Sequence, residues 1–434
     1  MIAPRGFPLL SAAPAVAQPD VFKPKVGKEA RIRNMTLVSI IMPTFNRADT
    51  INRAIRSVQA QTFSDWELIV VDDGSTDDTA ELIEGCDPRL KLIRQNNQGT
   101  AGARNTGLCA SAGSYLAFLD SDDEWLPHHL ELCVSFLKAF PCEQFVTNEL
   151  WEDFGQGRVI NHYRLEIGDN YPRTAQKVGS KMLDRPPDEQ DDYLRVYQTR
   201  LPIGEWGAEI ISRTPYQNVF HYQGRIFEYM RWGFLMCLQP TVLRRKACKA
   251  VGLFDTNYYG ASDYIFSVEL CRRFQANYLS IPACIKHEYA EDGAILNEDH
   301  VATGKTALIC SQDMLHCMAR YWGNRREDPE IAALFGFKQL DIARRALGRY
   351  ERSIALKYLK AALNDFPGLR RARYLQWLIT ILPGENFSCF VYIGFAKAIY
   401  ILGMIRRNEI SLKDALGKLK RRFVRARKTF MNRN

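Results

Sequence analysis

Tyr115-Leu116-Ala117-Phe118-Leu119-Asp120-Ser121-Asp122-Asp123-Glu124-Trp125-Leu126-Pro127 is the stretch that decides how this chain is read. Its opening residues are apolar, as in a buried strand. Four acids then fall within five positions, and a helix-starting pattern follows from Leu126. Like charges crowded at a strand end repel each other. They persist where water solvates them or where something positive sits among them. Two readings stay open from these residues alone. One is a solvated acidic turn; the other is a divalent cation held by carboxylate oxygens, with substrate phosphates completing its shell.

The segments upstream repeat the same architecture. Leu37 to Met42 reads as a first strand, followed by Pro43-Thr44-Phe45-Asn46-Arg47. Asp49 has the position of a helix N-cap. Ile51, Ala54, Ile55 and Val58 then give one apolar helical face. Trp66 to Val71 is a β-branched run ending in Asp72-Asp73-Gly74-Ser75, and Ser75 with Asp78 fits a capping box for a helix through Ile83. Leu90 to Ile93 is a short third strand, and residues 100–112 are an Ala/Gly-rich helix carrying Arg104 and Asn105. Strands alternating with helices predict an α/β fold with a mostly parallel, doubly wound sheet. In such sheets ligands bind beyond the carboxyl ends of the strands. Pro43 to Arg47, Asp72 to Ser75 and Asp120 to Asp123 all fall at such ends.

Downstream, residues 151–235 are rich in Tyr, Arg, Gly and Pro, with a charged loop near Asp184 to Asp192, and the order of elements there is not readable. Leu238 to Arg244 resembles a strand and Lys246 to Val251 a short helix. Ser262-Asp263-Tyr264 opens a helix to about Phe274, where an acid in the first turn also has the plain role of complementing the helix dipole. From about residue 305 the pattern is helical throughout. Gly348 to Pro367 loosely resembles a tetratricopeptide half-repeat, two residues too long and without a clear second copy.

Charge is distributed unevenly. The net +9 resides at the ends: residues 406–434 carry +9 and residues 1–34 carry +4, which leaves the middle at −4. This is a slightly acidic body with basic ends, not a nucleic-acid-binding surface. The apolar Phe387 to Ile405 followed by the basic tail suits peripheral contact with anionic lipid, at roughly 1 kcal/mol per basic group near the surface; a packed helix with a solvated tail is the alternative. Phe387 to Ile405 is interrupted by Lys397 and two glycines, so no uninterrupted membrane span is expected. Residues 1–34 read as a disordered tail with Met35 as an alternative start. Ala15-Val16-Ala17-Gln18 resembles a signal cleavage site, but Pro8 and Pro14 break the apolar stretch before it. Eleven scattered cysteines without a Cys-x-x-Cys pair or zinc spacing indicate reduced thiols in a cytoplasmic protein.

With these segments placed, the chain resembles the family-2 glycosyltransferases of the GT-A fold. The resemblance rests on Val38 to Arg47, Val70 to Asp77, Ala103-Arg104-Asn105-Thr106-Gly107, Phe118 to Asp123, and more moderately on Val251 to Asp255 with Ser262-Asp263-Tyr264. It implies a GT-A domain over 35–304, with a nucleotide-sugar half (35–140) and an acceptor half (141–304), followed by a helical extension over 305–434. It further implies inverting transfer of a sugar from a nucleotide donor, typically a UDP-sugar, to an acceptor hydroxyl; the basic C-terminus points to a glycan or lipid-linked acceptor in surface-polysaccharide synthesis. By position, Pro43, Thr44 and Asn46 line the nucleotide pocket, and Asp73 accepts a hydrogen bond from the base. Arg104 lies near the base or diphosphate, Asp120 faces the ribose or the metal, and Asp122 binds Mn²⁺ or Mg²⁺. Asp263 matches the general base, although Ser262 stands where the family usually has another acid. His287 is a further ligand candidate whose plain reading is a core histidine.

The chemistry demands these residue types. A departing nucleoside diphosphate gains negative charge, which a cation stabilises. The attacking hydroxyl loses its proton to a positioned carboxylate, which contributes about 10²–10⁴-fold. Two other motifs are set aside. Gly304-Lys305-Thr306 is no phosphate-binding P-loop, since Asp299 stands where its first glycine belongs. Glu228-x-x-Arg231-Trp232 resembles the Gln-x-x-Arg-Trp of processive synthases, but with Glu for Gln and ahead of Asp263. Competing functions are a sugar-phosphate nucleotidyltransferase, which usually carries a Gly-rich basic loop after its first strand, and a catalytically silent GT-A domain on a helical scaffold.

Overall fold

The computed structural model describes residues 37–155, 159–165, 191–287, 305–349 and 351–381. Its strands are β1 Val38–Thr44, β2 Trp66–Asp72, β3 Leu90–Arg94, β4 Tyr115–Phe118, β5 Glu124–Trp125, β6 Phe145–Asp153, β7 Val159–Asn161, β8 Thr199–Pro202, β9 Phe220–Gly224, β10 Thr241–Arg244 and β11 Ala276–His287. The helices are α1 Ile51–Gln59, α2 Thr79–Ile83, α3 Gly99–Ala110, α4 His129–Ala139, α5 His162–Leu165, α6 Glu205–Ser212, α7 Arg245–Val251, α8 Ser262–Arg273, α9 Lys305–Trp322, α10 Pro329–Gly348, α11 Arg352–Asp365 and α12 Arg370–Ile381.

All strands join one sheet in the order β3-β2-β1-β4-β10-β6-β11-β9-β8, with β5 on β11 and β7 on β6. Its first half is parallel, as the strand–helix alternation predicts: β1 lies between β2 and β4, and β2 pairs with β3. Both faces of this half are covered, so its strands read as continuous apolar runs. Successive side chains alternate: Ile69 and Val71 pack with Ala103 of α3 on one face, while Leu68 and Val70 join the main core on the other. Gly107 of α3 is a residue without a side chain because a Cβ there would sit 2.5 Å from a methyl of Ile41.

The second half is mixed. β10 runs antiparallel to both β4 and β6, β11 is parallel to β6, and β9 is antiparallel to β11. β6 and β11, its two longest strands, lie in segments where no strand is read from the sequence. β5 also precedes α4, whose first residue is His129 instead of Leu126.

Residues that read as helix caps have other partners. Thr50, not Asp49, occupies the N-cap of α1, and its hydroxyl donates to the Ser121 carbonyl at 3.0 Å. Ser75 and Asp78 form no capping box, since α2 begins at Thr79 without a side-chain cap. Ser75 Oγ instead accepts the Asn46 amide at 2.9 Å, Thr79 Oγ1 accepts that of Arg47 at 2.8 Å, and Asp77 accepts that of Ala48 at 3.1 Å. The loops after β1 and β2 lie side by side, so the polar groups of one satisfy the backbone of the other.

The helical region is built onto this body. Trp322, at the end of α9, is buried and stacks on Phe227 with ring centroids 5.2 Å apart. Glu228-x-x-Arg231-Trp232 lies in a 3₁₀ turn, Phe227–Trp232. There Arg231 is buried and bonded at 2.6 Å both to Glu228 and to Glu330 of α10. α10 starts at Pro329 behind an Asp328 cap, and Gly348 to Pro367 covers its end and α11. Among the described residues no helix is long and apolar enough to cross a membrane. Residues 1–34, His287's successors up to Gly304, most of the charged loop near Asp184, Phe387 to Ile405 and the basic tail lie outside the described residues.

Candidate active site

Sheet order reverses at β1, between β2 and β4, the position where doubly wound sheets take ligands beyond the carboxyl ends of their strands. Four predicted segments meet around it. Asn46 follows β1 with a left-handed backbone (φ 50°), which a short polar side chain tolerates. Its Oδ1 accepts the Thr76 amide at 2.8 Å, so the loop after β1 is held to the loop after β2. Gly74 turns with φ 85°, and a Cβ there would press on the Gln95–Asn97 backbone at 3.2–3.3 Å.

Asp73 is buried and fully engaged. Its Oδ1 accepts from Gln95 Nε2 (2.7 Å) and the Gln98 amide (2.9 Å), and its Oδ2 from the Gly99 amide (2.8 Å) at the start of α3. Thr106 donates in turn to Gln95 Oε1 at 2.6 Å. The carboxylate therefore ties β2 to the N-terminus of α3, where backbone amides favour negative charge. Thr44 is also buried, and its hydroxyl has no protein partner.

Arg104 organises the centre. It is only 4% exposed and donates to Asp120 Oδ1 at 2.7 Å, while its Nε has no protein partner. Gln239, just before β10, donates to the other Asp120 oxygen at 2.8 Å. Burial by itself would raise the pKa of Asp120, but the Arg104 charge and these hydrogen bonds outweigh it and hold the carboxyl below its ordinary value. Asp120 is thus an ionised, half-buried carboxylate beside a buried guanidinium.

Asp263 comes to the same arginine from the other half of the chain. Phe118 of β4 packs edge-on against Phe254 (5.3 Å) and Phe266 (6.1 Å), and the latter two stack at 4.4 Å. Asn105 clasps the Phe254 backbone from both sides, donating to its carbonyl at 2.9 Å and accepting its amide at 2.8 Å. These contacts seat α8 against the strand that leads into Asp120. Asp263, in the first turn of α8, lies within electrostatic reach of Arg104 and Asp120. Burial raises its pKa above the ordinary aspartate value, Arg104 pulls it back and Asp120 pushes it up again. A carboxylate with raised proton affinity is suited to accept a proton.

Asp122 faces outward. Its carboxylate pairs with the exposed Arg47 at 3.1 Å, and Arg53 donates to its carbonyl at 2.8 Å. Asp123 is buried, and burial together with the charges of Asp122 and Asp120 raises it well above the ordinary range. His287 sits between Glu124 (3.2 Å) and Asp153 (3.6 Å), buried beside the acidic turn. Among the described residues no three acids, histidines or cysteines form a closed metal cage. The donor set still fits Mg²⁺ or Mn²⁺ of the kind that takes one or two carboxylates and completes its shell with phosphate oxygens and water. Asp122 is the solvent-facing carboxylate, with Asp120 beside it.

The residues that sequence reading leaves out are Gln239, Gln95 and Phe266, none of which has a motif of its own; Phe118 and Phe254 lie in matched segments, but their packing with Phe266 is not readable there. Gln239 acquires its role only once β10 inserts next to β4.

Residues 39–188 match the family model described as "Glycosyl transferase family 2". This chain carries a family-2 glycosyltransferase domain. Among curated proteins, the domain is similar to the Escherichia coli UDP-Glc:alpha-D-GlcNAc-diphosphoundecaprenol beta-1,3-glucosyltransferase WfgD, 48% identical over 29% of this chain and 47% of that one. It is also similar to the Bacillus subtilis putative teichuronic acid biosynthesis glycosyltransferase TuaG, 41% identical over 24% of this chain and 44% of that one. The chain thus spans less than half the length of these relatives. A solved structure of S. aureus TarS 1-349 in complex with UDP-GlcNAc superposes over 76% of this chain and 91% of that chain. Its identity is 16% and its TM-score 0.43, a likeness from which no function follows.

Proposed function

We propose that this protein is an inverting, metal-dependent glycosyltransferase that moves a sugar from a UDP-sugar to a hydroxyl of a lipid-linked glycan in surface-polysaccharide synthesis. The observation that carries the reading is the convergence on Arg104. Asp120, from the nucleotide-sugar half, pairs with one buried guanidinium at the strand ends, and Asp263, from the acceptor half, lies within electrostatic reach of it. The donor and acceptor class follow the printed activity of the Escherichia coli relative.

In this reading Pro43, Thr44 and Asn46 line the nucleotide pocket, and the Thr44 hydroxyl is left without a protein partner. Asp73 shapes the loop that receives the base, presenting the start of α3 to it. Asp122, with Asp120, would hold a Mn²⁺ or Mg²⁺ ion. When bound, that ion neutralises charge developing on the departing diphosphate. Arg104 keeps Asp120 ionised and oriented. Asp263 takes the proton of the attacking acceptor hydroxyl as the new glycosidic bond forms and the bond to the diphosphate breaks. Displacement from the face opposite the leaving group inverts the anomeric carbon.

The test is calorimetric binding of UDP and UDP-glucose with Mn²⁺ and then with EDTA. It is followed by transfer from UDP-glucose to a short-chain GlcNAc-diphospholipid. The expected result is metal-dependent UDP binding that Asp122→Ala abolishes. Full transfer by Asp122→Ala would remove the metal assignment. Release of pyrophosphate in place of UDP would mark a nucleotidyltransferase.

A further inference from the structure

The loop that leads into Asp263 is held from outside the glycosyltransferase domain. Residues 255–261 connect the Phe254 anchor to α8 and lie against α9, the first helix of the C-terminal region. Asp313 of α9 turns one carboxylate oxygen, Oδ2, to two successive loop amides, those of Tyr259 (2.8 Å) and Gly260 (2.9 Å). At Gly260 the approach is close enough that a Cβ would sit 2.0 Å from Cys310 Sγ on the preceding turn of α9. Arg320 reaches the start of the same loop and pairs with Asp255 at 3.2 Å. The next residue, Tyr321, donates to Glu269 of α8 at 3.0 Å. The helix thus grips the loop at its start and middle, and α8 behind it.

The chemistry of that grip is specific. Two neighbouring amides aimed at one carboxylate oxygen form charge-assisted bonds, about twice as strong as neutral ones. They fix the backbone orientation of two residues in the turn before Asp263. They also hold the Tyr259 ring outward, where it is 68% exposed, the most exposed large apolar side chain among the described residues. Proton transfer needs the base within hydrogen-bond reach of the acceptor hydroxyl, and a shift of about 1 Å costs on the order of 10²-fold.

We infer that Asp313 is a positioning residue for sugar transfer: by clamping the Tyr259 and Gly260 amides it sets the placement of Asp263 and presents the Tyr259 ring to the acceptor. This inference rests on Asp263 being the base. The helical region then belongs to the acceptor site, while the donor site is complete without it.

The experiment uses the full chain, UDP-glucose and the short-chain GlcNAc-diphospholipid. Asp313→Ala is expected to lower kcat by about 10²-fold with UDP affinity unchanged. Its Tyr259 and Gly260 amides should exchange hydrogen faster than in the parent. Asp313→Asn is expected to recover most of the rate, because a carboxamide oxygen can accept both amides. If Asp313→Ala does not fold, Asp313→Glu reads the same split, since it keeps the charge and displaces the oxygen by one methylene. A folded variant with parental kcat overturns the positioning role. A fall in melting temperature alone, with kcat intact in the folded fraction, does the same. If the parent chain binds UDP but transfers nothing, the glycosyl-transfer reading fails first and takes this one with it.

Discussion

Asp120 and Asp263 flank the same arginine, yet they are held in opposite ways. Asp120 stands at a strand end, with Arg104 on one oxygen and Gln239 on the other. Its neighbourhood is stitched by loops of the first half of the sheet: Asn46 to Thr76, Asp73 to the start of α3, Thr50 to Ser121. Asp263 stands at a helix start, behind a loop clasped by Asn105 of α3 on one side and by α9 on the other. The donor side is therefore a local construction on parallel strands. The base side is an assembly of distant pieces. The two should fail separately: damage to the first removes nucleotide binding, and damage to the second removes turnover while binding survives.

The largest effect that would break this division comes at Asp263. Asp263→Asn is expected to lower kcat by about 10²–10⁴-fold while calorimetry gives the parental UDP affinity; lost UDP affinity would merge the two sides. The pH dependence sharpens the same point. A base must be unprotonated, so kcat should fall as pH drops through the Asp263 pKa. Burial places that limb above the ordinary aspartate value of 3.8. Asp120, held low, should contribute no step in that range.

Arg104 tests what the two sides share. Arg104→Met leaves Asp120 without its guanidinium in a buried setting, which costs about 3–5 kcal/mol for a broken buried pair. In any folded fraction, the acid limb should move to higher pH, because the cation that lowers Asp263 is gone. Thermal unfolding and a pH–rate profile together measure both; an unmoved limb would uncouple Arg104 from the base. Gly107→Ala is expected to cost less, about 1–3 kcal/mol, from overpacking against Ile41. It should perturb the donor side first, since α3 carries Arg104. The smallest effect is expected at Arg47. Its pair with Asp122 is exposed on both sides, so Arg47→Ala should move the melting temperature by almost nothing, within about 1 kcal/mol. A large loss of stability there would mean that the acidic turn depends on Arg47 for its fold.

The same division explains what was legible in the sequence. The parallel half is regular: each strand ends, a loop with Asp, Asn or Gly follows, and a helix returns. Apolar runs such as Trp66–Val71 and the acid cluster after Phe118 mark every strand end. The caps were misread because Asp49, Ser75 and Asp78 have the right chemistry for their own helices, and spatial proximity of two loops redirected Ser75 and its neighbours. The second half is mixed and ordered by long-range pairing. β6 and β11 are adjacent in the sheet but far apart in sequence, with a bulged register between Leu279 and Cys284. Nothing local announces such a pair. The role of Gln239 follows from strand insertion, and that of Asp313 from docking of α9. Asp263 was legible as a residue type at a helix start; the company it keeps was not.

Trp322 stacked on Phe227 has a consequence for biosynthesis. On the ribosome the parallel half emerges first and can close around Arg104 while the rest is still being made. The wall that supports α8 comes only with α9, about 60 residues after Asp263, which is roughly 3–12 s at ordinary elongation rates of about 5–20 residues per second. During that interval the nascent chain carries the proposed nucleotide pocket, and the loop before Asp263 has nothing behind it. The transferase is completed, as a reactive machine, by the arrival of one buried indole.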